Sequence, residues 1–229
     1  GLGSGASFCE VRFFEERSNN ISVENGVAKT LGSGIVRGVG VRVIVADRWG
    51  FASTNVLTRK GFDVTLADAM GGSRSIREHG GEEAKVSEVK PITDTVVHDV
   101  KVNPEDVSPD VKIKKVLEID KAAKAYSDRI KDTFVTYRDV LTKVIVCNSY
   151  GTSIEEVTPR TYAYCTVISR EGENKQVGFE FVGNVAGYEI IDGIEPDEFS
   201  VKASERAVKL LSARPPPRGT YPIVVDQRV

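Results

Sequence analysis

The sequence predicts an α+β fold: a large, mainly antiparallel sheet built from hairpins, with about three helices packed on it. Three observations lead there. Segments of alternating apolar and polar residues recur along most of the chain, separated by turn-forming residues such as Asn25-Gly26. Two stretches with apolar residues three to four apart begin at Ser108-Pro109 and at Pro196, as amphipathic helices do. The strands come in runs rather than in strict alternation with helices, which favours hairpins over βαβ units.

Residues 7–17 (SFCEVRFFEER) alternate as a half-buried strand, with Val11 and Phe13 against Glu10 and Arg12. Asn25-Gly26 then closes a hairpin, because both central positions of the tight turn require positive φ. Val39, Val41, Val43 and Val45 alternate with Gly40, Arg42, Ile44 and Ala46; Asp47-Arg48 turns the chain and residues 49–54 run back. The first 54 residues therefore read as an antiparallel meander with one apolar face. Residues 58–70 follow as a helix with Phe62, Leu66 and Ala69 on one side, although Gly61 weakens it. Residues 71–93 form a polar, glycine-rich stretch, and residues 95–103 alternate as a strand.

Ser108 caps the next helix, which carries Val116, Ile119, Ala123, Tyr126 and Ile130 on one face. Residues 132–183 return to β-branched and aromatic strands, with turns at residues 149–152 and 172–174. A loop at 183–187 leads to a helix from Pro196 to about Ala213. Asp197 and Glu198 suit its positive end, Lys209 suits its negative end, and Phe199, Ala203 and Leu210 mark its buried side. The prolines of residues 215–217 stiffen a connector, and residues 221–226 (YPIVVD) read as a buried strand.

With 229 residues, 40% of them hydrophobic and 28% charged, the composition is globular. A net charge of −2 gives no electrostatic footprint for nucleic acid, and no apolar run approaches the ~20 residues of a membrane helix. Cys9, Cys147 and Cys165 are scattered in strand-like runs without a CxxC pair, which reads as reduced core thiols in a cytoplasmic protein.

Candidate chemistry is sparse. His79 lies in a polar loop near Glu82 and Glu83, and His98 lies on a strand whose neighbour Asp99 points to the opposite face. Neither belongs to a set of converging metal ligands. The glycines of residues 32–40 precede a strand rather than a helix, so they shape a strand entry instead of a phosphate cradle. Ser53, Ser149 and Ser169 have no histidine nearby in sequence and sit in no GxSxG elbow. Arg42, Arg48 and Arg74 are interspersed with acids and read as solvent-facing. The pattern thus shows no catalytic residue and no metal site on this chain.

Five stretches, in order, resemble one family. Residues 38–55 (GVGVRVIVADRWGFASTN) resemble the N-terminal signature of the TldD/PmbA metallopeptidases, a family also described as modulators of DNA gyrase. Residues 5–17 resemble its first strand, residues 21–30 (ISVENGVAKT) its hairpin, and residues 147–152 (CNSYGT) its Asn-Ser-x-Gly turn. Residues 203–229 resemble the helix, proline connector and strand that precede its active-site helix.

The resemblance implies a division of the chain. Residues 1–213 would form an N-terminal α+β domain, and residues 214–229 a connector and first strand leading to a C-terminal metallopeptidase domain not included in it. In catalytic members that next part carries HExxxH, so the full-length protein would be a zinc-dependent peptidase acting on peptides or unfolded segments, with zinc held outside this chain. The implied partners are such substrates and a second subunit, either identical or a related family member, with no nucleic acid and no membrane. The implied role of this chain is to help enclose a chamber and supply dimer contacts. An alternative is the same portion of a non-catalytic PmbA/TldE-type partner subunit; a third is a standalone binding module. The residues singled out are Arg42, Trp49, Gly50, Phe51, Ser53 and Thr54, as a substrate-facing or structural signature; for Trp49 and Phe51 the favoured reading is that they simply pack the core.

Overall fold

The computed structural model describes residues 5–78, 83–87, 89–215 and 217–226. A seven-stranded sheet is its backbone: β1 (Phe8–Glu24), β2 (Val27–Val45), β3 (Arg48–Thr54), β4 (Thr93–Val97), β5 (Ile130–Asn148), β6 (Ser153–Glu171) and β7 (Asn174–Asn184). The order across the sheet is β3-β2-β1-β5-β6-β4, with β7 also paired to β6. Every pairing is antiparallel except that of β4 with β6. Four helices accompany it: α1 (Arg59–Glu78), α2 (Pro109–Ala125), the single turn α3 (Glu189–Asp192) and α4 (Pro196–Leu210). This is the α+β architecture that the sequence predicts.

The turns explain the register. Asn25 and Gly26 have φ of 49° and 79°, as the two-residue hairpin between β1 and β2 requires. The second hairpin turns at Ala46 and Asp47, with φ of 48° and 60°, one residue earlier than the sequence suggests. At the β5–β6 turn the Asn148 side chain accepts from the Tyr150 and Thr152 amides at 3.0 and 3.1 Å. Gly151 takes a φ of 97° there, which accounts for the Asn-Ser-x-Gly spacing.

The helices share one face of the sheet. Side chains alternate along a strand, and the β1–β5 register is unbroken from Glu10 to Glu24. Val11 packs near α1, while Ile21 and Val23 belong to the core beneath α2 and α4, so odd-numbered β1 residues face helices at both ends. The larger core joins Val135, Tyr137, Ala163, Cys165 and Val167 of the sheet to Val116, Ile119 and Ala123 of α2 and Phe199, Ala203 and Ala207 of α4. The smaller joins Val41, Val43 and Val45 to Ala69 and Met70 of α1. A buried polar pin holds α2 to the sheet. Asp139 accepts from Lys112 Nζ at 2.8 Å, Tyr137 Oη at 2.6 Å and Asn19 Nδ2 at 2.8 Å.

Several elements differ from the sequence reading. Helix α1 runs through Gly71 and Gly72 to Glu78, because Ser73 Oγ anchors it to the Val45 and Arg48 carbonyls at 2.9 and 2.7 Å. Helix α2 stops at Ala125; Tyr126 is its exposed cap, and Ile130 instead opens β5, which runs unbroken to Asn148. β4 is shorter than expected and ends at Val97. On α4 the buried apolar positions are Phe199, Ala203 and Ala207, followed by Leu211, with Ser200 and Ser204 buried beside them, whereas Leu210 points outward. Cys165 is a core thiol, but Cys147 is exposed and Cys9 half-buried. Residues 221–226 pair with no strand among the described residues, and Val224 is 99% exposed.

Candidate functional site

The helix-free face of the sheet carries the candidate site. By alternation it presents Phe8, Glu10, Arg12 and Phe14 from β1, the even-numbered residues from Gly32 to Ile44 of β2, and Trp49, Phe51 and Ser53 from β3. Glycine at 32, 34, 38 and 40 leaves β2 with only Val36, Arg42 and Ile44 as side chains on this face. An open groove of about 830 Å³ results, floored by Gly38 and Gly40 and walled by Arg12 and Phe14 on one side and Phe51 on the other. A Cβ at Gly40 would come within 3.3 Å of the Phe51 ring, so the missing side chain is what lets the ring lie over the strand.

The six residues singled out from the sequence divide between two faces. Arg42 forks onto Glu10, with Nε 2.9 Å from Oε1 and Nη2 3.0 Å from Oε2. This bidentate pair crosses from β2 to β1 at directly opposed positions. The same guanidinium lies 5.3 Å from the centre of the Trp49 ring, which meets Phe8 edge-on at 5.8 Å. Trp49 is 39% exposed and Phe51 68% exposed, so neither is a core residue. Ser53 lines the groove beside them. Gly50 points the other way and is buried: a Cβ there would overlap the Ala69 carbonyl of α1 and come within 2.9 Å of Ser73 Cβ. Thr54 ends β3, where its hydroxyl accepts from the Val56 amide at 3.0 Å.

Sequence reading missed Glu10, Arg12, Phe14 and the glycine floor. The signal was the alternation itself: Phe8, Glu10, Arg12 and Phe14 fall on the face opposite Val11 and Phe13, and Gly38 and Gly40 fall opposite them across the ladder. Arg12 is exposed and has no hydrogen-bond or ion-pair partner among the described residues.

The described residues do not fit a metal centre. None of their His, Cys, Asp and Glu side chains gather in groups of three or more. His98 lies just beyond β4, with Nε2 3.6 Å from Glu156 Oε1, and that pair stands without a third ligand. His79 lies outside the described residues. Burial raises the Cys165 thiol to about 12, with smaller contributions from the Asp120 and Glu180 charges, which keeps it protonated and unreactive. Among the described residues no helix is long and apolar enough to cross a membrane.

Comparison with known proteins gives a consistent result. Residues 9–71 match the model of PmbA/TldA metallopeptidase domain 1, and residues 102–211 match that of the PmbA/TldA metallopeptidase central domain. A metalloprotease of Methanocaldococcus jannaschii is 29% identical over 219 residues, covering 96% of this chain and 48% of that protein. A metalloprotease TldD homologue of Haemophilus influenzae is 23% identical over 224 residues, covering 95% and 46%. The chain thus spans about half the length of the curated relatives it matches. Among solved structures, a protein from Thermotoga maritima described as a modulator of a DNA gyrase superposes with a TM-score of 0.73 at 20% identity, covering 95% of this chain and 47% of that one. TldE from Thermococcus kodakarensis superposes with a TM-score of 0.68 at 16% identity, covering 90% and 45%.

Proposed function

We propose a role for this chain from one premise: it belongs to the TldD/PmbA family of metallopeptidases. On our reading it is the non-catalytic N-terminal portion of a TldD-type peptidase of the cytoplasm. Residues 1–213 form its N-terminal domain, and residues 214–229 lead into the part of the relatives' length that this chain does not span. In our reading that further part holds the metal, zinc, as the names of the metalloprotease relatives suggest.

The observation that carries the reading is the helix-free face. Helices cover the opposite face at both ends of the sheet, while this one keeps an open groove with an exposed ring at Phe51 and, at Arg12, a cation without a partner among the described residues. A glycine floor beside an aromatic wall admits a backbone closely and grips an apolar side chain, which suits peptides and unfolded segments. In this role the face lines a substrate chamber, and Arg42, held by Glu10 and Trp49, keeps β1, β2 and β3 in register beneath the substrate. The chamber is closed by a second subunit, of the same or a related kind. The likeness to TldE favours a second reading, in which this chain belongs to the partner subunit that lacks catalysis.

The test is hydrolysis of casein by the full-length protein, with and without a chelator, for the parent and for Phe51→Ala. Chelator-sensitive hydrolysis, with KM raised several-fold at unchanged kcat in the variant, is expected. Unchanged KM overturns the groove's role. Hydrolysis that appears only on adding a related subunit establishes the second reading instead.

A further inference from the structure

The long strand β2 is paired on both sides only where β3 reaches it, from Val39 to Val45. Over residues 27–38 it pairs with β1 alone and presents a free edge. Residues 27–37 are all exposed. The polarity of that edge follows from the hairpin. Val45 and Arg48 flank a two-residue turn and exchange both backbone hydrogen bonds, so odd-numbered β2 residues point their N–H and C=O groups away from β1. Leu31, Ser33, Ile35 and Arg37 therefore offer a row of outward donors and acceptors that no strand among the described residues meets.

Exposed edges are usually blunted by charge, proline or a bulge. Here residues 30–36 (TLGSGIV) contain no charge and no proline, and the single bulge of the β1–β2 ladder lies at Lys29, at the very end of the stretch, where Ser22 pairs with Thr30 and Val23 with Ala28. Cations stand at both ends of the stretch: Lys29, and Arg37, whose Nη1 lies 3.9 Å from Glu15 Oε2 while its side chain stays 53% exposed; Arg12 on β1, opposite Gly40, has no partner among the described residues. An edge of this kind is shaped to receive a strand, and its charges say which. A second copy paired antiparallel about Ser33, the register that uses all of residues 29–37, would set Lys29 against Arg37 twice, a repulsive arrangement. An extended segment with uncharged residues in its middle and acidic residues at its ends meets no such penalty.

We propose that residues 29–37 of β2 capture an extended peptide of about nine residues by strand addition, the peptide continuing the sheet as a new edge strand. Backbone pairing gives tolerance of sequence, and Lys29 and Arg37 give a preference for acidic ends. This capture site adjoins the Gly38–Gly40 floor of the groove, so a bound strand leads toward Phe51. It needs no metal and is measurable where hydrolysis is not, so its failure and that of the peptidase reading are separable.

The experiment measures anisotropy of a fluorescein-labelled nonapeptide, Glu-Thr-Val-Thr-Val-Thr-Val-Thr-Glu, titrated with the chain. Two further versions carry N-methyl groups at alternate residues, either the odd or the even set. Strand addition predicts that one set abolishes binding and the other leaves it intact, because only alternate amides face the edge. Equal behaviour of the two sets overturns it. Ser33→Pro removes an outward donor at a position where an edge tolerates proline, and it should weaken binding at least tenfold. Gly71→Ala, on α1 away from this edge and with nothing within 4 Å of a new Cβ, should leave binding unchanged, with unaltered circular dichroism in both variants. Lysines in place of the peptide's two glutamates should weaken binding several-fold. A chain that is dimeric in solution and becomes monomeric in Ser33→Pro would overturn the proposal in favour of a second copy on this edge.

Discussion

Removing the Asp139 carboxylate should expose how strongly the buried pin holds α2 to the sheet. The side chains of Lys112 and Asp139 are each 5% exposed. In Asp139→Ala the ammonium loses its counter-ion in a site that water does not reach. Stranding one partner of a buried pair costs about 3–5 kcal/mol. Tyr137 Oη, fully buried, loses its acceptor in the same step at about 1–3 kcal/mol, and the half-buried Asn19 Nδ2, which water can reach, loses its own at less. These costs overlap, because the cavity relaxes once, so about 3–5 kcal/mol is the expected total. That is a large share of the ~5–15 kcal/mol by which a domain is stable. Lys112→Met alone should cost less, since Tyr137 and Asn19 still donate to the carboxylate. The double variant Lys112→Met/Asp139→Asn should cost under about 1.5 kcal/mol, because no charge remains and the amide oxygen can accept from Tyr137. Urea unfolding followed by circular dichroism reads all three. An Asp139→Ala cost below about 1 kcal/mol, or a double variant as unstable as Asp139→Ala, would refute the account of the pin.

Glycines should separate by position. Gly50→Ala and Gly178→Ala both drive a Cβ into helix backbone, α1 and α4 respectively, and should each destabilise by at least ~1–3 kcal/mol in urea. Gly71→Ala and Gly72→Ala lie within α1 with nothing within 4 Å of a new Cβ, and should stabilise by about 0.5–1 kcal/mol each. Stability should fall as pH rises. The Cys165 thiol and Tyr188 hydroxyl both rise to about 12 in the fold, chiefly through burial. The unfolded chain therefore loses these protons first, and stability present below about pH 9 is lost toward pH 12. Cys165→Ala should flatten that loss in thermal melts between pH 8.5 and 11. Ellman's reagent at pH 8 should label the exposed Cys147 rapidly and Cys165 only after unfolding.

The parts legible in the sequence were those fixed by local rules. Asn25-Gly26, Asn148 with Gly151, and Ser108-Pro109 specify turns and a cap through φ and hydrogen bonding alone, and each sits where the pattern places it. What was not legible depends on contacts distant in sequence. Gly71 and Gly72 discourage helix locally, yet Ser73 bonded to two strand carbonyls carries α1 past them. Ile130 keeps helical spacing but pairs with Ser169. The groove was half legible: the 49–54 stretch announced itself through Trp49 and Phe51, but whether those rings faced inward depended on register. Gly50, not Trp49, is the residue that α1 needs small.

The two family models divide the chain between residues 71 and 102, but the sheet does not divide there. β1 pairs with β2 along one side and with β5 along the other, and those strands belong to the two different matches. Fifteen consecutive residue pairs join β1 to β5, from Glu10 with Asn148 to Glu24 with Phe134. The strands that form the groove and the edge of residues 29–37 are therefore set rigidly on the strands that carry the larger core. Trp49 is the single tryptophan of the chain and sits at the far end of the sheet from the Asp139 pin. Its fluorescence thus reports on the domain-1 strands alone, while circular dichroism reports on the whole. If the ladder couples the two matches into one cooperative unit, Asp139→Ala lowers the urea midpoint of both signals equally. A Trp49 transition that stays at the parent midpoint while the circular dichroism shifts would show two independent units, with the groove free to move against the core beneath α2 and α4.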